Sequence, residues 1–143
     1  MRRFIATLTA SAAMLGGLGL ASLTTAAPAH AAGWCDGTKS VVHTSYGHSI
    51  SLPVNRASGS TDCIMSEGAS GPAVTALQTA LLLCNNQNLR TDGEFGPITR
   101  EALAAAQARS GATPDGVYGP ETRRSILWPS YLNGTFTGCA VSS

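Results

Sequence analysis

Asp92-Gly93-Glu94-Phe95-Gly96-Pro97-Ile98-Thr99-Arg100 and Asp115-Gly116-Val117-Tyr118-Gly119-Pro120-Glu121-Thr122-Arg123 are one motif written twice, 23 residues apart. Six of the nine positions are identical, and a seventh exchanges Phe95 for Tyr118. Chance is a poor explanation for that agreement, so the pair reads as an internal repeat. Each residue type in it has a local task. Asp-Gly makes a tight turn in which Gly93 and Gly116 are free to take positive φ. The carboxylates of Asp92 and Asp115 can accept hydrogen bonds from turn N–H groups. Phe95 and Tyr118 plug the core, and Gly96 and Gly119 let the chain bend again. Pro97 and Pro120 then open helices at the position where a missing N–H costs nothing. Glu67-Gly68-Ala69-Ser70-Gly71-Pro72 reads as a decayed third copy, aligned through Gly68, Gly71 and Pro72.

Working outward, three helices are predicted. The first runs from about Pro72 to Leu83, with Val74, Leu77 and Leu81 on its apolar stripe. The second runs from Pro97 to about Ser110, with Ile98, Ala102, Leu103 and Ala106 on one face and Gly111 as its stop. The third is short, from Pro120 to about Leu127, because Pro129 forbids much continuation. Upstream, Val41–Tyr46 and Ser49–Val54 read as two short strands joined at Gly47-His48. Pro53 lacks an N–H and so places the second strand at a sheet edge. The fold class expected is mainly α: a three-helix domain preceded by a short, disulfide-stapled β-hairpin segment.

The N-terminus has a different character. A short positive start, an uncharged apolar run and Ala29-His30-Ala31 form the pattern of a secretory signal peptide cleaved after Ala31. The run is long enough to span a bilayer, but Gly16, Gly17 and Gly19 weaken it as an anchor. The expected divisions are residues 1–31 as signal peptide, 32–66 as the hairpin segment, 67–129 as the helical domain, and 130–143 as a stapled tail. Past residue 31, seven Lys and Arg face eight Asp and Glu. That balance offers no basic field for nucleic acid or for a membrane surface once the signal is removed. A monomer is expected.

Cys35, Cys63, Cys84 and Cys139 make an even count in an exported chain, which predicts two disulfides. Their gaps of 28, 21 and 55 residues do not fit a zinc site, whose ligands come in close pairs. The favoured pairing is Cys35–Cys63 with Cys84–Cys139. Pairing Cys63 with Cys84 must span a helix about 18 Å long, whereas bonded Cα atoms lie within about 7 Å. A fold-back of the lead before Pro72 keeps that alternative open.

No catalytic constellation is legible. There is no H-E-x-x-H and no G-x-S-x-G, and Gly68-Ala69-Ser70-Gly71 reads as a helix cap. His43 and His48 flank a turn, where polar residues are ordinary. Asp92 with Glu94 could imitate a glycosidase carboxylate pair, but a place in a duplicated turn favours a structural task. Asn133-Gly134-Thr135 is a formal glycosylation sequon. The expectation is a protein without enzymatic activity, cofactor or metal.

Leu77-Gln78, the first motif, Thr99, Gln107, Gly111 and the second motif together resemble the peptidoglycan-binding domain of the three-helix, repeat-containing type. The resemblance covers about Gly68 to Leu127. It implies a helical module that holds bacterial cell wall, through glycan or stem peptide, and that usually accompanies a wall-lytic domain. The family usually carries a large aromatic before its glutamine, and here Ala106 precedes Gln107. Trp128, Tyr131 or the N-terminal hairpin are the candidates to fill that space. The contact residues expected are Tyr118, Arg100, Arg123, Trp128 and Tyr131: aromatic rings stack on sugars, and Arg pairs with carboxylates. Asp92, Gly93, Phe95, Gly96, Asp115, Gly116 and Gly119 are expected to hold the fold. The alternative is a secreted inhibitor or protein-interaction module on the same scaffold.

Overall fold

The computed structural model describes residues 33–142, so the expected signal peptide lies outside the described residues. The elements in chain order are β1 (Gly37–Val42), β2 (Ser49–Val54), α1 (Pro72–Cys84), α2 (Pro97–Ser110), α3 (Pro120–Ser125), β3 (Leu127–Leu132) and β4 (Thr135–Val141). Among the described residues no helix is long and apolar enough to cross a membrane.

Three helices begin alike. Gly71, Gly96 and Gly119 stand at the N-caps, each followed by Pro, and none has a side-chain cap. Gly111 ends α2 in the left-handed region (φ 78°) and donates its N–H to the Gln107 carbonyl. Helix α3 stops at Ser125, earlier than expected, and the chain goes directly into a strand.

The fold is therefore not mainly α, which corrects the sequence expectation. A four-stranded antiparallel sheet, ordered β1-β2-β3-β4, is as large a part of the protein as the helices. The segment expected to be a stapled tail supplies half of β3 and all of β4. Asn133 and Gly134 both take positive φ (50° and 81°) and form a two-residue turn that pairs Leu132 with Thr135. The first hairpin also shifts. Its strand begins at Gly37 and ends at Val42, and the turn is Thr44–Gly47, closed by His43 N–H on the His48 carbonyl. β2 is not an edge strand. However, its ladder to β3 covers only Ser49 and Ile50, so Pro53 forfeits no bond on that side.

α1 is the central element. It lies against β1, β2 and β3 and meets α2 beside them. Ala73, Val74, Leu77, Ala80 and Leu81 are fully buried against Ile50 and Leu52 of β2, Trp128 of β3, Leu103 of α2, and Phe95 and Tyr118 from the two turns. Trp128 joins the same core as Ala106. Cys35 is bonded to Cys63 (Cα–Cα 5.1 Å) and Cys84 to Cys139 (5.7 Å). The second bridge fastens β4, whose residues are mostly exposed, to the end of α1.

Candidate functional site

The two motif turns are held by identical hydrogen-bond sets. In the first, the Gln78 side chain comes down from α1. Its Nε2 reaches Asp92 Oδ1 (2.9 Å), the Glu94 carbonyl (3.0 Å) and Thr99 Oγ1 (3.1 Å), while its Oε1 accepts the Gly93 N–H (2.8 Å). In the second, Gln107 comes down from α2. Its Nε2 reaches Asp115 Oδ1 (3.1 Å), the Val117 carbonyl (2.9 Å) and Thr122 Oγ1 (2.8 Å), and its Oε1 accepts the Gly116 N–H (2.9 Å). Asp92 Oδ1 accepts the Glu94 N–H and Asp115 Oδ1 the Val117 N–H. Both glutamines are buried. A buried amide is tolerated only when its bonds are made, so each network fixes a helix, a turn and the start of the next helix as one unit. Gly93 (φ 77°) and Gly116 (φ 69°) are required by their turns.

The surroundings of the two turns differ. At the first, α1 and the sheet leave a groove of about 620 Å³. Pro72, Thr75, Ala76 and Thr79 of α1 form one wall, Thr38, Ser51, Pro129 and Tyr131 of the sheet the other, and Asp92, Gly93 and Glu94 close it. On the far side of the same turn a groove of about 390 Å³ is lined by Asn88, Arg90, Ile98 and, again, Asp92 and Glu94. Asp92 and Glu94 form no ion pair among the described residues. At the second turn Arg100 lies over Gly116, so close that a Cβ there would come within 2.7 Å of its Cγ. Thr113 and Glu121 occupy the places of Arg90 and Ile98, and Glu121 Oε1 accepts both the N–H (3.1 Å) and the hydroxyl (3.3 Å) of Thr113. The first turn is approached as closely, since a Cβ at Gly93 would meet Thr75 Oγ1 at 2.9 Å, and its backbone is bonded to Ala69 and Gly71; the difference is that grooves flank it, with Asp92 and Glu94 lining both.

The Asp92 carboxyl is held below the usual carboxylate range, first by the Glu94 N–H and next by the Gln78 amide. Burial pushes the Tyr118 hydroxyl well above its ordinary value, against a smaller opposing effect of the Arg123 charge.

Of the expected contact residues, only Tyr131 faces a groove next to the motif. Tyr118 and Trp128 have no exposed surface and meet edge to face with ring centres 6.1 Å apart. Trp128 Nε1–H donates to the Arg123 carbonyl (2.9 Å). Arg123 is itself buried and bonds Asp62 Oδ1 (3.1 Å) and Ser142 Oγ (3.4 Å). These three side chains hold the C-terminal strands to α3 and cannot reach a ligand, which corrects the expectation. Arg100 is exposed but pairs with Glu67 (3.2 Å) and roofs the second turn. His43 Nε2 bonds Ser130 Oγ (2.9 Å) and His48 Nδ1 bonds Thr137 Oγ1 (3.0 Å), so both histidines fasten the first hairpin to the second. The groove hydroxyls Thr38, Ser51, Thr75 and Thr79 were missed. Thr75 and Thr79 stand four residues apart on the polar side of α1, the one signal that could have raised them.

Residues 70–126 match the family described as a putative peptidoglycan binding domain. That segment holds α1, α2, α3 and both turns, and none of the four strands. The chain is 35% identical over 74 residues to an N-acetylmuramoyl-L-alanine amidase of Bacillus licheniformis, covering 50% of this chain and 21% of the amidase. It is 41% identical over 64 residues to the zinc D-Ala-D-Ala carboxypeptidase of Streptomyces albus G, covering 43% of this chain and 25% of that enzyme. The chain thus spans a fifth to a quarter of the curated relatives it matches. The crystal structure of the SleB N-terminal domain is 34% identical, at a TM-score of 0.40, over 43% of this chain and 85% of that one.

Proposed function

We propose that this protein is a non-catalytic module that binds bacterial peptidoglycan, and that the groove between α1 and the sheet is where the wall sits. The observation that carries the reading is the inequality of the two turns. The same hydrogen-bonded unit is built twice, yet one is overlaid by Arg100 and tied by Thr113–Glu121, while the other opens into a groove lined by hydroxyls, two carboxylates and an aromatic ring. The match of residues 70–126 to a peptidoglycan-binding family supports the ligand class. So do the relatives, whose names place them on N-acetylmuramoyl-L-alanine and D-Ala-D-Ala. Their catalysis is not carried over, because the shared part is a small fraction of each. In this reading residues 1–31 direct export, the duplicated turn is an internal repeat, and the protein works outside the cell as a monomer without a metal, cofactor or nucleic-acid partner.

Co-sedimentation with purified, insoluble cell wall tests the proposal. The protein is expected in the pellet at physiological salt. Recovery in the supernatant, with capture of a specific protein partner instead, would favour an interaction module.

A further inference from the structure

We propose that the α1–sheet groove selects a free primary ammonium on an aliphatic stem, which in the wall is the side-chain amine of an uncross-linked stem peptide. The inference rests on the wall-binding reading and names the chemistry of that same site.

The argument is one of charge and shape. The only charged residues lining the groove are Asp92 and Glu94. Asp92 spends Oδ1 on Gln78 and on the Glu94 N–H, while no hydrogen bond or ion pair of the described residues engages its Oδ2 or the Glu94 carboxylate. Arg90 lines the far side of the turn, where its charge acts on the Asp92 carboxylate without an ion pair. Two unpaired carboxylates beside a partly enclosed groove attract a cation and repel the free carboxylates that stem peptides also carry. The rest of the lining sets what kind of cation. Pro72, Ala76, Pro129 and Tyr131 give the groove an apolar face, and Thr75 and Thr79 give it hydroxyl acceptors about 6 Å apart along the helix. An alkyl chain can lie on the apolar face and bring its ammonium to Glu94. A sugar amine is flanked by hydroxyls on a rigid ring and makes poor use of that face.

A third of the residues lining this groove lie outside the family segment. Thr38, Ser51, Pro129 and Tyr131 all lie outside residues 70–126. The sheet that makes the module α and β also adds Pro129 and Tyr131 to the apolar face of the site.

The consequence is a preference among wall structures. A cross-link acylates the side-chain amine, removes its charge and leaves the two carboxylates without a partner. The module would therefore gather where the wall is uncross-linked.

Titration of the protein with N-acetyl-L-alanyl-γ-D-glutamyl-L-lysine and with the same peptide acetylated at Nε tests this. The free-amine peptide is expected to bind at least about fivefold more tightly. Glu94→Gln, an exposed position whose side chain bonds nothing, is expected to weaken it by about two- to fivefold, as for one exposed charge pair. A glucosamine oligosaccharide is expected to bind more weakly than the free-amine peptide. Equal affinity for the two peptides, or tighter binding of the oligosaccharide, overturns amine selection. Sedimentation separates the two levels of the claim. A protein that pellets equally with native wall and with wall treated with acetic anhydride loses amine selection but keeps wall binding. A protein that pellets with neither loses both.

Discussion

Gln78 and Gln107 do the same work at two places, and the account makes them equivalent in energy. Replacing either with Ala strands the Gly N–H of its turn, an Asp oxygen and a Thr hydroxyl. A cost of about 2–4 kcal/mol is expected for each, the sum of one or two buried groups left without partners. Urea denaturation of Gln78→Ala and Gln107→Ala checks it, and a large disparity would show that one network is not structural. Tyr118 supplies the opposite case. Its hydroxyl is buried without a protein partner, beside an Arg123 Nε in the same condition. Tyr118→Phe is therefore expected to leave stability unchanged or raise it; a loss above about 1 kcal/mol would contradict the burial of an unpaired group. Asp92 has a consequence in pH. Its folded carboxyl titrates below the ordinary value because the Glu94 N–H and the Gln78 amide favour the charged form. The stability this confers is complete above the unfolded value of about 4 and is lost as pH falls through the lower folded value. Asp92→Asn should flatten the pH dependence of the melting temperature in that acid range and lower the melting temperature at neutral pH, where the charged form contributes fully.

At the scale of elements, the helices and both turns were legible because their signals are local. Gly-Pro starts, Asp-Gly turns and a glycine stop need only a few neighbouring residues. Of the sheet, the first hairpin was legible, with β2 at its observed bounds, and the second hairpin was not, for reasons that can be named. The sheet's central ladder joins Ser49 to Tyr131, a pairing between distant parts of the chain. β4 buries little, so its residues show no alternation of apolar and polar. β3 follows α3 without a loop, and Pro129 reads as the end of a helix rather than the middle of a strand. One local signal does mark the second hairpin: Asn133-Gly134, the strongest short hairpin cue. The site suffered with the sheet, since four of its lining residues are on strands. Of the residues expected to touch a ligand, Tyr131 alone lines the groove, because burial of Tyr118, Arg123 and Trp128 depends on strands the sequence did not reveal. The fastening of the second hairpin is testable. Replacing Cys84 and Cys139 together by Ser is expected to lower stability by about 3–4 kcal/mol on the loop-entropy model. Hydrogen exchange should then rise first in β4. Uniform exchange across the sheet would mean that the bridge is not what holds it.

At the scale of the whole molecule, the protein is a hydrogen-bonded helical unit doubled along the chain, with a sheet laid against its first helix. The sheet turns an exposed helix face into a groove, and one of the two turns closes the groove with carboxylates. Filling it tests that arrangement coarsely. Ala76→Trp is expected to abolish sedimentation with the wall while changing stability by less than about 1 kcal/mol, the usual range for partly exposed sites. The most direct test is a map of backbone amide shifts as a soluble peptidoglycan fragment is added. The perturbed residues are expected to cluster at Thr38, Ser51, Thr75, Thr79, Glu94 and Tyr131. Perturbations gathered instead around Asp115 and Arg100, or around the exposed rings of Trp34 and Tyr46, with the groove silent, would contradict it.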